Sequence, residues 1–157
     1  MADIPFMKIA AFDEADLAVI SAHLQDAVLR VGDIRWMKSS GKLALVANRF
    51  DHYASPDGSG ERRQCGMQIS RVRHVAARNI TMHDKTAIVV LLAMTFTPGV
   101  EAPEGVIELS FAGGGMVRVE VECIEVAFAD LSAPWQARAR PDHEADADEQ
   151  GTRDADA

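Results

Sequence analysis

The stretches Val106 to Phe111 and Met116 to Cys123 alternate apolar and polar residues with a period of two, and Gly113, Gly114 and Gly115 lie between them. Only an extended strand places every second side chain on one side. The segment therefore predicts a β-hairpin with one buried face. A three-residue glycine loop sets Phe111 opposite Val117, Leu109 opposite Val119 and Ile107 opposite Val121, with all these side chains on a common face. The same register sets Glu108 directly opposite Glu120 on the solvent side, with Glu122 one step along.

Other segments obey the same period. Arg62 to Val72 places Cys65, Met67 and Ile69 on one face and Gln64, Gln68 and Ser70 on the other. Ile34 to Lys38 and Lys42 to Phe50 are β-favouring runs around Ser39-Ser40-Gly41. A two-residue turn at Ser40-Gly41 predicts Trp36 opposite Leu45 and Ile34 opposite Ala47. Ala87 to Phe96 is apolar at nearly every position, as expected of a central strand covered on both faces. Met7 to Phe12 reads as an edge strand, Ile124 to Leu131 as a strand extension or a short helix, and Pro134-Trp135 as a bend. The run from Asp51 to Glu61 is loop by composition.

One segment follows the helical period instead. Leu17, Ile20, Leu24, Ala27, Val28 and Val31 predict a helix over Asp13 to Val31. Asp13 suits its N-cap, Glu14 and Asp16 sit where the helix dipole favours negative charge, and Gly32 stops it. One amphipathic helix and about six or seven antiparallel strands, without strand–helix alternation, define an α+β domain. Two architectures satisfy the pattern: a split barrel resembling pleckstrin-homology-like folds, or a hot-dog-like helix wrapped by a sheet.

The 157 residues are one domain's worth of chain, and 48% hydrophobic content with 25% charge excludes disorder over most of it. The longest apolar run, Ala87 to Met94, is far short of the ~20 residues of a membrane-spanning helix. No secretory signal is read at the start, and two cysteines, Cys65 and Cys123, read as reduced thiols, so the expected setting is the cytoplasm. The formal net charge of −8 is concentrated in residues 141–157, with seven acids against Arg153 and no Leu, Ile, Val, Phe or Trp. The expected organisation is one globular domain over residues 1–140 and a disordered acidic tail over 141–157. With the tail set aside the domain is nearly neutral, so charge alone does not exclude nucleic acid.

Four groups of residues carry chemical expectations. The apposed carboxylates Glu108 and Glu120 would repel by roughly 0.2–1 kcal/mol unless they share a proton or a divalent cation, as an acid–base pair does; Arg118 lying diagonally across would neutralise them instead. Arg62, Arg63, Arg71 and Arg73, with His74 and Arg78 nearby, form a basic patch suited to phosphates of RNA, although no aromatic residue is interleaved for base stacking; the plain reading is a solvated face paired with acids. His52, Cys65 and His74 converge only if their strands are neighbours, and His23, His83 and His143 complete no metal-ligand spacing. Trp36 is expected in the core, and Trp135 in a groove between helix and sheet or exposed as a partner anchor. No nucleophile motif, phosphate-binding loop or cofactor signature is present.

The run Asp16 to Ala27 followed by Val31-Gly32-Asp33-Ile34 resembles the opening of an alphaproteobacterial family, domain of unknown function 2948. Asn48-Arg49-Phe50, Phe111 to Gly115, Val119 to Glu125 and Asp130-Leu131 resemble it too, and the similarity covers roughly residues 7 to 140. The resemblance implies no activity, cofactor or catalytic residue. It directs attention to Gln25, Asp26, Asn48 and Arg49, polar residues where packing does not require them. If they meet at one sheet edge they form a recognition surface, and alanine at Arg49 or Asp26 then abolishes binding with little change in melting temperature. The expected function is a cytoplasmic, non-catalytic binding module with a protein partner, as a monomer or a homodimer. The alternatives are a small-ligand-binding domain or enzyme using Glu108 and Glu120, and RNA binding through Arg62 to Arg78.

Overall fold

A computed structural model describes residues 6–51, 61–133 and 135–136 of the chain. The predicted acidic tail, His52, His143 and most of the predicted 51–61 loop lie outside them. Strand β1 (Lys8–Ala11) leads into helix α1 (Glu14–Leu24), whose N-cap Asp13 accepts a hydrogen bond from the Asp16 amide at 2.8 Å. The helix is shorter than the periodicity predicted. Asp26 takes a left-handed conformation (φ 69°) and donates its amide to the Leu91 carbonyl at 2.8 Å, turning the chain into the sheet. Ala27 and Val31 fit a helical stripe, but Ala27, Leu29 and Val31 also alternate: Ala27 and Leu29 reach the core on β2 (Ala27–Arg30), and Val31 is buried at the 3-10 turn that follows.

Nine further strands follow: β3 (Ile34–Met37), β4 (Lys42–Asp51), β5 (Glu61–Ile69), β6 (Val72–Arg78), β7 (Ile88–Pro98), β8 (Gly105–Phe111), β9 (Met116–Val121), β10 (Val126–Asp130) and β11 (Trp135–Gln136). Among the described residues they form one antiparallel sheet ordered β1-β10-β5-β4-β2-β7-β8-β9-β6, with β3 on β4 and β11 on β5. The class is α+β, with more strands than predicted because β2 falls within the predicted helix, β6 is not predicted as a strand, and β10 and β11 form strands of their own. The edge-strand reading of Met7 to Phe12 holds, and Ile124 to Leu131 supplies a strand of its own. The sheet bends until the Val72 amide, at the start of β6, meets the Gly41 carbonyl of the β3–β4 turn at 2.9 Å. Its inner face, closed by Leu17, Ile20 and Leu24 of α1, forms one continuous core running from Leu43 on β4 to Val119 on β9.

Both predicted hairpin registers are off by two residues. Ile34 pairs with Leu45 and Trp36 with Leu43, because Lys38–Ser40 form a 3-10 turn that ends on left-handed Gly41. Leu109 pairs with Val117 and Ile107 with Val119, because the turn uses Ala112, Gly113 and Gly114 rather than the three glycines. Gly115 belongs to the strand side of that turn: the Phe111 amide donates to its carbonyl, and a Cβ there would lie 2.6 Å from Ile80. A slip of two residues keeps every side chain on its face, so the predicted burial survives although the partners change. Strand β7 is central as expected, but only Leu91 and Met94 are fully buried on it, so it is not covered on both faces. Trp36 is half-buried against the core.

Gly105 is enclosed in the same way as Gly115, since a Cβ would collide with the Phe96 ring and the Thr97 carbonyl. We expect Gly105→Ala to cost about 1–3 kcal/mol by overpacking. Gly113→Asn, whose position is open and left-handed, should cost far less. Thermal unfolding of the two variants measures the difference.

Candidate functional site

Strands β10, β5 and β4 are neighbours, and on their inner faces the aliphatic alternation ends in charge. Leu43, Leu45 and Ala47 on β4 are followed by Arg49; Ile69, Met67 and Cys65 on β5 by Arg63; Val126 and Phe128 on β10 by Asp130. The register sets Arg49 directly opposite Arg63, and Asp130 and Ala47 on either side of Cys65. All three charged residues are at least 95% buried. Arg49 grips Asp130 with a bidentate pair, Nε to Oδ1 at 2.8 Å and Nη2 to Oδ2 at 3.0 Å. Arg63 Nη1 reaches Oδ2 at 3.4 Å, the Met7 amide donates to Oδ2 at 3.0 Å, and Asp51 stands 3.8 Å from Arg49.

The electrostatics follow from that geometry. Two guanidiniums facing each other across a strand pair repel, and the carboxylate between them removes the conflict. Burial alone would raise the Asp130 carboxyl, but the Arg49 hydrogen bond, the Met7 amide and the charges of Arg49 and Arg63 hold it below the usual range. Burial works against the Arg49 guanidinium too, and Asp130 outweighs it, raising the value further. Burial pushes the Cys65 thiol up to about 12, despite the nearby Arg49 charge. At neutral pH Cys65 is therefore a protonated core residue, not a nucleophile. His23, stacked on Phe128 with ring centroids 6.3 Å apart, is lowered by burial and by Arg49, with Asp51 and Asp130 opposing. Among the described residues no three His, Cys, Asp or Glu side chains are grouped to hold a metal ion. The cluster binds β4, β5, β10 and the start of β1 to one another.

The predicted site residues are distributed differently from expectation. Glu108 faces Arg118, at 3.4 Å, and Glu120 faces Val106 and His74, because the hairpin register slips. The two carboxylates are not apposed. Of the predicted recognition surface, Asp26 and Asn48 do meet, since Arg62 Nη1 donates to both their carbonyls at 3.2 and 3.3 Å. Gln25 is exposed, and Arg49 points to the opposite face of β4 from Asn48, into the core. The expectation that Arg49→Ala leaves stability unchanged therefore falls. The basic patch is dispersed: Arg62 and Arg63 lie on opposite faces of β5, Arg71 pairs with Glu125 at 3.4 Å and Arg73 with Glu104 at 3.0 Å. Glu104 is held below the usual range by that Arg73 hydrogen bond. Cys65 is buried while His74 is exposed on β6, so they do not converge. Trp135 is 41% exposed and pairs with Arg62 as part of β11, not in a groove under the helix.

The outer face holds a feature that pattern reading missed. Across β1, β10, β5 and β4 two rows of outward residues line up, Lys8–Ala129–Gly66–Val46 and Ala10–Ala127–Gln68–Ala44, with Arg35 of β3 beside Ala44. They floor an open trough of about 650 Å³, with Leu131 leaning over Gly66. The other half of the sheet is polar on the same side, where Thr95, Glu108 and Arg118 form one row. The signal was legible in Ala44, Val46, Gly66, Ala127 and Ala129, small apolar residues at the polar positions of their strands.

The fold and these features describe an α+β protein with a charge-stapled core and an apolar outer trough. The chain belongs to a family of proteins of unknown function, DUF2948, whose model matches residues 7–143. No curated protein and no solved structure matches it. No helix among the described residues is long and apolar enough to cross a membrane.

Two outcomes follow from the cluster. Arg49→Met leaves the buried Asp130 carboxylate with only the longer Arg63 contact and the Met7 amide, and should cost about 3–5 kcal/mol. Asp130→Leu added to Arg49→Met should recover part of that loss in a denaturant double-mutant cycle, whereas simple additivity would contradict the coupling. The second outcome concerns pH. His23 has a lowered value in the folded chain, so the unfolded chain binds its proton more readily and stability falls as pH drops through the ordinary histidine range, near ~6.5. Melting temperatures from roughly pH 7.5 to 5.5 should fall for the native chain and flatten in His23→Gln, while the Asp130 contribution is lost only at lower pH, below ~4.

Proposed function

We propose that the chain is a non-catalytic binding module that docks a protein partner on the outer face of β1, β10, β5 and β4. One observation carries the reading: within a single sheet, one half presents ion pairs and hydroxyls to water and the other presents alanine, glycine and valine. The solvent face of an antiparallel sheet is ordinarily polar, and a contiguous apolar area rimmed by polar residues marks an interaction surface. The enzymatic alternative loses its support, because Glu108 is neutralised by Arg118 and Cys65 is a buried, protonated thiol. The RNA alternative loses its stripe, because the arginines are spread over two faces and Arg63, Arg71 and Arg73 are paired with acids.

A photo-cross-linking side chain at Ala127, compared with one at Glu120 on the polar half, tests the proposal in cells. The expected result is an adduct with a second protein from position 127 alone, lost when Val46→Glu is added, with thermal unfolding unchanged. No adduct at 127, or equal adducts at both positions, would overturn the reading.

A further inference from the structure

The trough has a rim as well as a floor. Lys8 on β1 and Arg35 on β3 stand at its two sides, both exposed and neither with an acidic partner among the described residues. Three arginines elsewhere on the sheet are neutralised. Arg71, Arg73 and Arg118 each have a glutamate within 3.4 Å. Lys8 and Arg35 are thus two cations, without an acid beside them, that flank the apolar floor.

The floor restricts what can lie on it. Apart from the outer edge of β1, its backbone groups are already paired within the sheet, because β10, β5 and β4 each have a hydrogen-bonded neighbour on either side. An extended peptide needs a free edge to satisfy its own amides and carbonyls. A helix satisfies them internally, so it can be laid on a sheet face without stranding donors. Ala10, Ala44, Gly66, Ala127 and Ala129 supply no bulk, which permits close approach of a helix. A small apolar ligand would be poorly enclosed, since Ala10, Ala127 and Val46 on the floor remain exposed. A second copy of this chain in a two-fold arrangement would set Lys8 and Arg35 against the same residues of its partner.

Resting on the reading above, we infer that the trough receives an amphipathic helix of another protein, with a small-residue apolar stripe and carboxylates at both ends. Four strand spacings separate β3 from β1, about 19 Å. At the rise of an α-helix the acidic groups then lie about 13 residues apart. The ends face Lys8 and Arg35, and the stripe faces Gly66 and Ala127.

The experiment uses the full chain and two labelled helical peptides, followed by fluorescence anisotropy. Both share one alanine–leucine stripe; one carries glutamates at its ends and the other lysines. The acid-ended peptide should bind about tenfold tighter, as two exposed ion pairs of ordinary strength provide. The preference should shrink with salt. It should reverse in the Lys8→Glu/Arg35→Glu double variant, and Ala127→Arg should abolish binding of both peptides. Equal binding, or a preference unmoved by the double variant, would overturn the acidic-helix inference and leave the docking face standing. Failure of both peptides, or full binding to the Ala127→Arg variant, would overturn the docking face as well. Sedimentation on phosphatidylserine vesicles in place of peptide binding, or a dimer dissociated by Ala127→Arg, would likewise replace the inferred partner by a membrane or by a second copy.

Discussion

The Arg49–Asp130 pair is the interaction on which the arrangement of this half of the molecule depends. It lies inside the core, on strands that are not each other's neighbours, with β5 running between them. Hydrophobic burial does not choose between strand orders, because it has no direction. A bidentate ion pair with less than a twentieth of each residue exposed does choose, since any other pairing leaves a charge in the core without its counterion. Asp130 also receives the Met7 amide, so the entry to β1 is tied to the same carboxylate. Arg63, directly opposite Arg49, shares that carboxylate.

The order β1-β10-β5-β4 that the cluster holds on the inner face also assembles the trough on the outer one. The two faces are coupled by the pleat: when Arg49, Arg63 and Asp130 point inward, Val46, Gly66 and Ala129 point outward in a single row. A charge staple inside and a smooth apolar surface outside are thus consequences of one register. The polar half of the sheet, built from β8, β9 and β6, has an aliphatic inner face and keeps its charges on the solvent side, where they pair locally. That asymmetry within one sheet is the basis for placing a docking surface on the first half.

Much of the fold was legible, and the errors are instructive. Alternation identified the buried faces of the strands from Lys42, Arg62, Val106 and Met116 correctly. It misplaced the partners of both hairpins by two residues, because a turn of a different length shifts register without changing faces. The helix was overextended through Ala27 and Val31, whose spacing satisfies a helix and a strand alike; only the contact of Asp26 with Leu91 separates them. Arg63 shares the parity of Cys65, Met67 and Ile69, so its burial was readable, but two adjacent arginines suggest a surface patch when composition is weighed before parity. Glu108 and Glu120 show the cost of trusting a register: a slip of two residues turned a carboxylate dyad into an ordinary ion pair with Arg118.

By itself the sequence determined which side of the strands from Arg62, Val106 and Met116 meets the core and that a helix beginning after Asp13 covers it, because those properties depend on periods carried within a few residues. Beyond the two hairpins, which strand lies beside which was decided by the tertiary structure. So were the meeting of Arg49, Arg63 and Asp130 and the alignment of alanines from three strands with Gly66 from a fourth into one floor. The physical reason is that backbone hydrogen bonds between strands are the same for any pair, so local pattern sets orientation while loop geometry and the buried charges select the neighbours.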